Sequence, residues 1–112
     1  MEIYKILTAQ EWNDLTDRRE TDGAPIDIAD GFIHFSTAAQ VRETAARHFA
    51  GQDDLVLAAF EADALGPALK WEVSRGGDRF PHLYAPLRLA DVAWHADLPL
   101  EDGVHVFPNG IA

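Results

Sequence analysis

The chain contains no cysteine, which excludes disulfides, thiol nucleophiles and thiolate metal sites. Basic residues are scarce: nine lysines and arginines face nineteen aspartates and glutamates, for a formal net charge of −10. A surface of that sign repels a phosphate backbone, so nucleic acid is an unfavourable partner. No apolar run approaches the roughly 20 residues of a membrane span, and residues 1–20 lack a signal-peptide pattern. The expectation is a soluble, cytoplasmic protein with no membrane partner. Several motifs are also missing. There is no HxH or HExxH pair, so no metal is expected; there is no GxSxG elbow for a serine nucleophile. Gly76 and Gly77 belong to neither a GxGxxG nor a P-loop pattern.

What remains is a chain of 112 residues, 47% hydrophobic, which fits one domain over residues 1–112. "EIYKIL" at residues 2–7 reads as a first strand with Ile3 and Lys5 on one side. Thr8 and Glu11 then form a capping-box pattern, with Trp12 and Leu15 as the inward positions of a short helix. Residues 17–31, "DRRETDGAPIDIADG", read as an irregular loop. "FIHFS" is a strand whose alternation sends Ile33 and Phe35 one way and His34 and Ser36 the other. Thr37 and Gln40 suggest a second capped helix, striped by Val41, Ala45 and Phe49 and stopped by Gly51. "DLVLAAFEA" at residues 54–62 predicts a central strand buried on both faces. "ALKWEVS" and "RFPHLYA" flank "RGGD" as a hairpin, with Pro81 demoting the second arm to an edge strand or an extended segment. Further strands are expected near Val92–Ala96 and at residues 103–107. Strands with two short helices make the fold class α+β, built of small antiparallel sheets.

Chemistry concentrates in two echoing segments, "FIHFST" and "FPHLYA". A strand that only had to bury itself needs neither imidazole. His34 and Ser36 project beside the start of a helix capped by Thr37, where free N–H groups and the helix dipole favour an anion. His82 shares a face with Phe80 and Tyr84, which suits stacking against a flat heteroaromatic ring. Glu72 alternates with Trp71, and its carboxylate either pairs with Lys70 or Arg75 or orients an imidazole or a ribose hydroxyl. Lys70, Arg75 and Arg79, with Arg88 soon after, would give a locally positive cleft for a small anionic ligand. His48, His95 and His105 read as surface or packing residues.

The stretches "DGFIHFSTAAQV", "ARHFAGQDDLVL" and "LKWEVSRGGDRFPHLYAPL" resemble the bacterial domain-of-unknown-function 952 family, over roughly Ile3 to Trp94. That family is similar to the ADP-ribosyltransferase fold, and the resemblance implies split antiparallel sheets with a ligand cleft between them. It implies further that the ligand is NAD or an ADP-ribose-containing nucleotide, met as a substrate, with no cofactor held tightly. His34 and His82 would be the catalytic residues. Ser36, Thr37, Trp71, Glu72, Arg75 and Tyr84 would contact the ligand. The late-strand glutamate of such transferases has no clear counterpart. Glu101 lies in the loop-like "PLEDG", and Glu72 precedes the second motif. A transferase or NAD glycohydrolase and a non-catalytic binding module both remain open on this reading.

Overall fold

The computed structural model describes residues 1–111, the side chain of Arg75 excepted. Strand β1 (Glu2–Thr8) runs into helix α1 (Ala9–Arg18) through the expected cap. Thr8 Oγ1 accepts the Glu11 N–H at 3.1 Å, and Glu11 Oε1 accepts the Thr8 N–H at 2.9 Å. Strands β2 (Glu20–Thr21), β3 (Ile33–His34) and β4 (Ser36–Thr37) follow, with helix α2 (Pro25–Asp30) between the first two. Helix α3 (Val41–His48) leads to the long strand β5 (Leu55–Glu61). Then come β6 (Leu69–Val73), β7 (Arg79–Leu83), β8 (Leu87–Arg88), β9 (Val92–Leu98), β10 (Leu100–Glu101) and β11 (Val104–His105).

Two sheets matter for function. One has four strands in the order β4-β1-β5-β9, and the other three in the order β3-β7-β6. All pairings are antiparallel. Strand β5 is central and buried along its first six residues, as its unbroken apolar sequence requires. Its alternation splits the core in two. Leu55, Leu57 and Ala59 pack with Tyr4, Ile6, Val41 and Ala45 on the α3 side. Ala58 and Phe60 pack with Ile3, Leu7, Leu15, Ile33, Phe35 and Leu83 on the other. Phe35 meets Phe60 edge to face at 5.2 Å. The α+β class is therefore observed, as several small antiparallel sheets with few helices.

Three expectations need correction. Residues 17–31 are not an irregular loop: they hold β2 and α2, and the described residues form three α-helices. The helix is started by Pro25 at its first position, with Asp27 reaching back to accept the Ala24 N–H at 2.8 Å. Strand β7 is not an edge but the middle of its sheet. Pro81 is tolerated because its carbonyl accepts from Phe35 N (3.0 Å), so its missing donor faces the same side, where β3 has just ended. Third, Thr37 does not cap α3. Its N–H donates to Gln40 Oε1 at 3.0 Å, and Gln40 itself is the N-cap, without a side-chain cap bond.

The point that positions the site is the short link through Phe35. Strand β3 pairs with β7 in one sheet and β4 pairs with β1 in the other, so residues 33–37 cross between sheets. Since β4 meets β1 only at Ile3 and Tyr4, a cavity opens where that pairing stops.

Candidate functional site

His34 and His82 are register partners across β3 and β7, so their side chains leave the sheet on one face. Their ring centroids are 5.5 Å apart, nearly edge to face. Phe32 lies over both, stacked on His82 at 4.1 Å and tilted on His34 at 4.6 Å. Tyr84 completes the cluster, 5.3 Å from Phe32. Each imidazole is backed by carboxylates, from different parts of the chain.

Behind His34 stands Asp27, its side chain fully buried. One oxygen accepts the His34 ring Nδ1–H at 2.6 Å and the His34 backbone N–H at 3.1 Å. The other accepts from Lys5 Nζ at 2.9 Å and from Ala24 N at 2.8 Å. Lys5 Nζ also donates to the His34 carbonyl at 3.1 Å. Burial alone would raise the Asp27 carboxyl, but the hydrogen bond from His34, the Lys5 ammonium and the Ala24 N–H outweigh it and hold it at about 2. On the other side of the ring, His34 Nε2 lies 3.0 Å from Asp30 Oδ2. Both ring nitrogens of His34 thus face a carboxylate.

Behind His82 stands Glu72, from β6. Its Oε1 accepts the Tyr84 hydroxyl at 2.7 Å and His82 Nδ1 at 2.9 Å. The Tyr84 hydroxyl first, and His82 second, hold the Glu72 carboxyl below its usual range; Glu72 in return raises the Tyr84 phenol. The His82 ring is 5% exposed, against 32% for His34.

Two hollows adjoin this cluster. A 630 Å³ cavity takes its walls from both sheets and three helices: His34, Ser36 and Lys5 line it with Tyr4, Phe35, Phe49 and Ser74. Its volume lies in the range of small-molecule sites. A 340 Å³ hollow on the other side is lined by Phe32, Tyr84, Asp22 and Pro86, and Asp27 borders both.

Of the residues singled out in the sequence, His34, Glu72, His82 and Tyr84 thus meet in one cluster. Ser36 lies in the larger cavity with His34, but its buried hydroxyl is 2.8 Å from Thr44 Oγ1. Tyr84 and Ser36 do not share a hollow. Trp71 pairs with Pro81 in register and so leaves the sheet opposite to Glu72 and His82. Thr37 belongs to the four-stranded sheet and borders neither hollow. The side chain of Arg75 is outside the described residues. The side chains against the imidazoles are acidic, Asp27, Asp30 and Glu72, while Lys70 is exposed and Arg88 pairs in register with Glu20. His105 and His95 are packing residues, the first bonded to the Gln52 carbonyl and the second against Trp12. His48 is exposed at the rim of the larger cavity.

Sequence reasoning missed Lys5, Asp27 and Phe32. Signals existed for two of them. A lysine interrupts an otherwise apolar strand in "EIYKIL", and Pro-Ile-Asp after a turn is a helix start with an acid at its third position. Phe32 gave none, because its role is a stacking contact between side chains brought together by the sheet.

The fold and site define a small α+β domain with a carboxylate-backed histidine pair across adjacent strands. Residues 6–95 match the family described as a protein of unknown function (DUF952), and the chain belongs to that family. It is similar to protein CC0527 from Caulobacter crescentus. The crystal structure of CC0527 is 52% identical with a TM-score of 0.91, over 95% of this chain and 94% of that one. Its solution NMR structure is 54% identical with a TM-score of 0.83, over 92% and 90%. The chain matches no curated protein.

Proposed function

We propose that this domain binds a ribose-containing nucleotide, NAD or an ADP-ribose derivative, in the cavity beside His34, with the two facing sheets as a reduced ADP-ribosyltransferase-like cleft. The observation that carries the reading is the 630 Å³ cavity with His34 and Ser36 on one wall and the rings of Tyr4, Phe35 and Phe49 on others. Apolar walls with a few convergent polar groups favour a flat ring attached to a polar sugar. A carboxylate such as Asp30, which lines the cavity, can accept from ribose hydroxyls, as acidic residues do in dinucleotide sites. The rings of Tyr4, Phe35 and Phe49 offer apolar faces to a flat heteroaromatic ring. Its place of work in this reading is the cytoplasm.

Titration calorimetry with NAD and ADP-ribose tests the proposal. Heat of binding with the intact protein, weakened in His34→Ala, is the expected result; no heat with either ligand at millimolar concentration removes it.

Whether binding leads to reaction divides two readings. A non-catalytic module is favoured by one feature: the carboxylates that line the cavity are already engaged, Asp27 by Lys5 and His34, Glu11 by Thr8 N and Asp30 by His34. A transferase or glycohydrolase would release nicotinamide, and that measurement separates them.

A further inference from the structure

We infer that the 340 Å³ hollow is a second binding site, independent of the nucleotide reading, and that it takes an alkylated ammonium group. Its volume falls within the range of small-molecule sites, and of the residues around it only Asp27 also borders the larger cavity. Two aromatic rings carry the inference. Phe32 and Tyr84 both line the hollow, their centroids 5.3 Å apart and their planes at 45°, so that they meet as a corner. Ile28, Ala85 and Pro86 add apolar surface around that corner, and Asp22 brings a carboxylate. Ile28 and Tyr84 are exposed, and apolar groups gathered in this way around a concavity mark a binding surface.

The sign of the ligand follows from the charges. Asp22 is exposed and forms no ion pair among the described residues, whereas the charge of Asp27 is met by Lys5 at 2.9 Å. Tyr84 donates its hydroxyl proton to Glu72 Oε1 at 2.7 Å, which makes the phenol ring richer in electrons. Such a ring face attracts a cation, and the formal net charge of −10 draws cations to the molecule as a whole. The walls decide which kind of cation. A bare ammonium is strongly hydrated and needs several acceptors in place of its water, but the side chains here are mainly apolar. A methylated ammonium brings its own apolar surface and needs only ring faces and a nearby counter-charge. The corner is also built in advance. Phe32 is stacked on His82 at 4.1 Å, and Tyr84 is tied to the Glu72 oxygen that also bonds His82 Nδ1. The Glu72–His82 pair is thus a brace that fixes both rings before the ligand arrives, which lowers the ordering cost of binding.

The probes are choline, its neutral analogue with carbon in place of nitrogen, and one peptide with either trimethyllysine or unmodified lysine. Each is titrated into the full chain and followed by calorimetry and by ¹⁵N NMR. Choline is expected to shift the amide resonances of Asp22, Phe32 and Tyr84 and to bind about tenfold more tightly than the neutral analogue. The trimethyllysine peptide is expected to exceed the unmodified one by about the same factor of ten. Tyr84→Ala, at an exposed position, is expected to weaken both cations about tenfold, and Asp22→Asn about threefold, in chains whose NMR spectra stay those of a folded protein. Tighter binding of the trimethyllysine peptide than of choline would assign the ammonium to a partner's side chain, and the reverse to a free small molecule; either supports the site. Four results overturn it: no binding of choline or of the trimethyllysine peptide at millimolar concentration, equal binding of the neutral analogue, shifts confined to other surfaces, or affinities untouched by Tyr84→Ala and Asp22→Asn. None of these outcomes depends on whether NAD binds.

Discussion

Asp27 carries more of this site than any other side chain. It gathers a strand lysine, a helix-start N–H and both the ring and backbone of His34, from a fully buried position. Two predictions follow from its burial. Asp27→Asn strands the Lys5 ammonium, itself only 7% exposed, and is expected to cost about 3–5 kcal/mol in urea unfolding. The second concerns pH. The folded carboxyl is depressed from its ordinary 3.8 to about 2, so the stability it contributes is complete above the ordinary value and is lost as pH falls toward the folded one. Unfolding free energies measured between pH 5 and 2 are expected to show a loss of about 2 kcal/mol that the Asp27→Asn chain lacks. A flat profile in the parent chain would remove this account of the Lys5–Asp27–His34 link.

Among the elements, the turn into α2 is the tightest fit. Gly23 has φ +103°, and a Cβ there would lie 2.5 Å from Asp27 Oδ2 and 2.6 Å from Asp27 Cβ. Gly23→Ala therefore combines left-handed strain with a clash against the buried acid. It is expected to cost about 1–3 kcal/mol and to shift the His34 resonances in NMR. The cap of α1 offers a cleaner measure of local structure. Thr8→Ala removes one half of a complete capping box and is expected to cost about 1 kcal/mol in urea unfolding. Element type was legible in the sequence wherever one physical rule dominated. Strand β5 is continuously apolar, and α1 carries both box residues. Where short polar segments fold because of a distant partner, as in β2 and α2, local pattern pointed to a loop instead.

At the scale of the whole molecule, the two sheets are joined through one core and one polar link. Phe60, fully buried and edge-on to Phe35, holds the crossing strand against the four-stranded sheet. Phe60→Ala is expected to cost about 3–5 kcal/mol and to loosen the His34–His82 pair, read as faster amide exchange in β3 and β7. The described residues contain no helix long and apolar enough to cross a membrane. By itself the amino-acid sequence determined the class of fold, the buried central strand, the hairpin around Gly76 and Gly77, and the two segments whose histidines matter, because these rest on periodicity and on residue types within a few positions of one another. Only the tertiary structure decided that the two imidazoles stand 5.5 Å apart under Phe32, that the charges behind them are acidic, and that Lys5 reaches Asp27. Those facts depend on strand order and register, which bring together residues far apart along the chain and which no local pattern encodes.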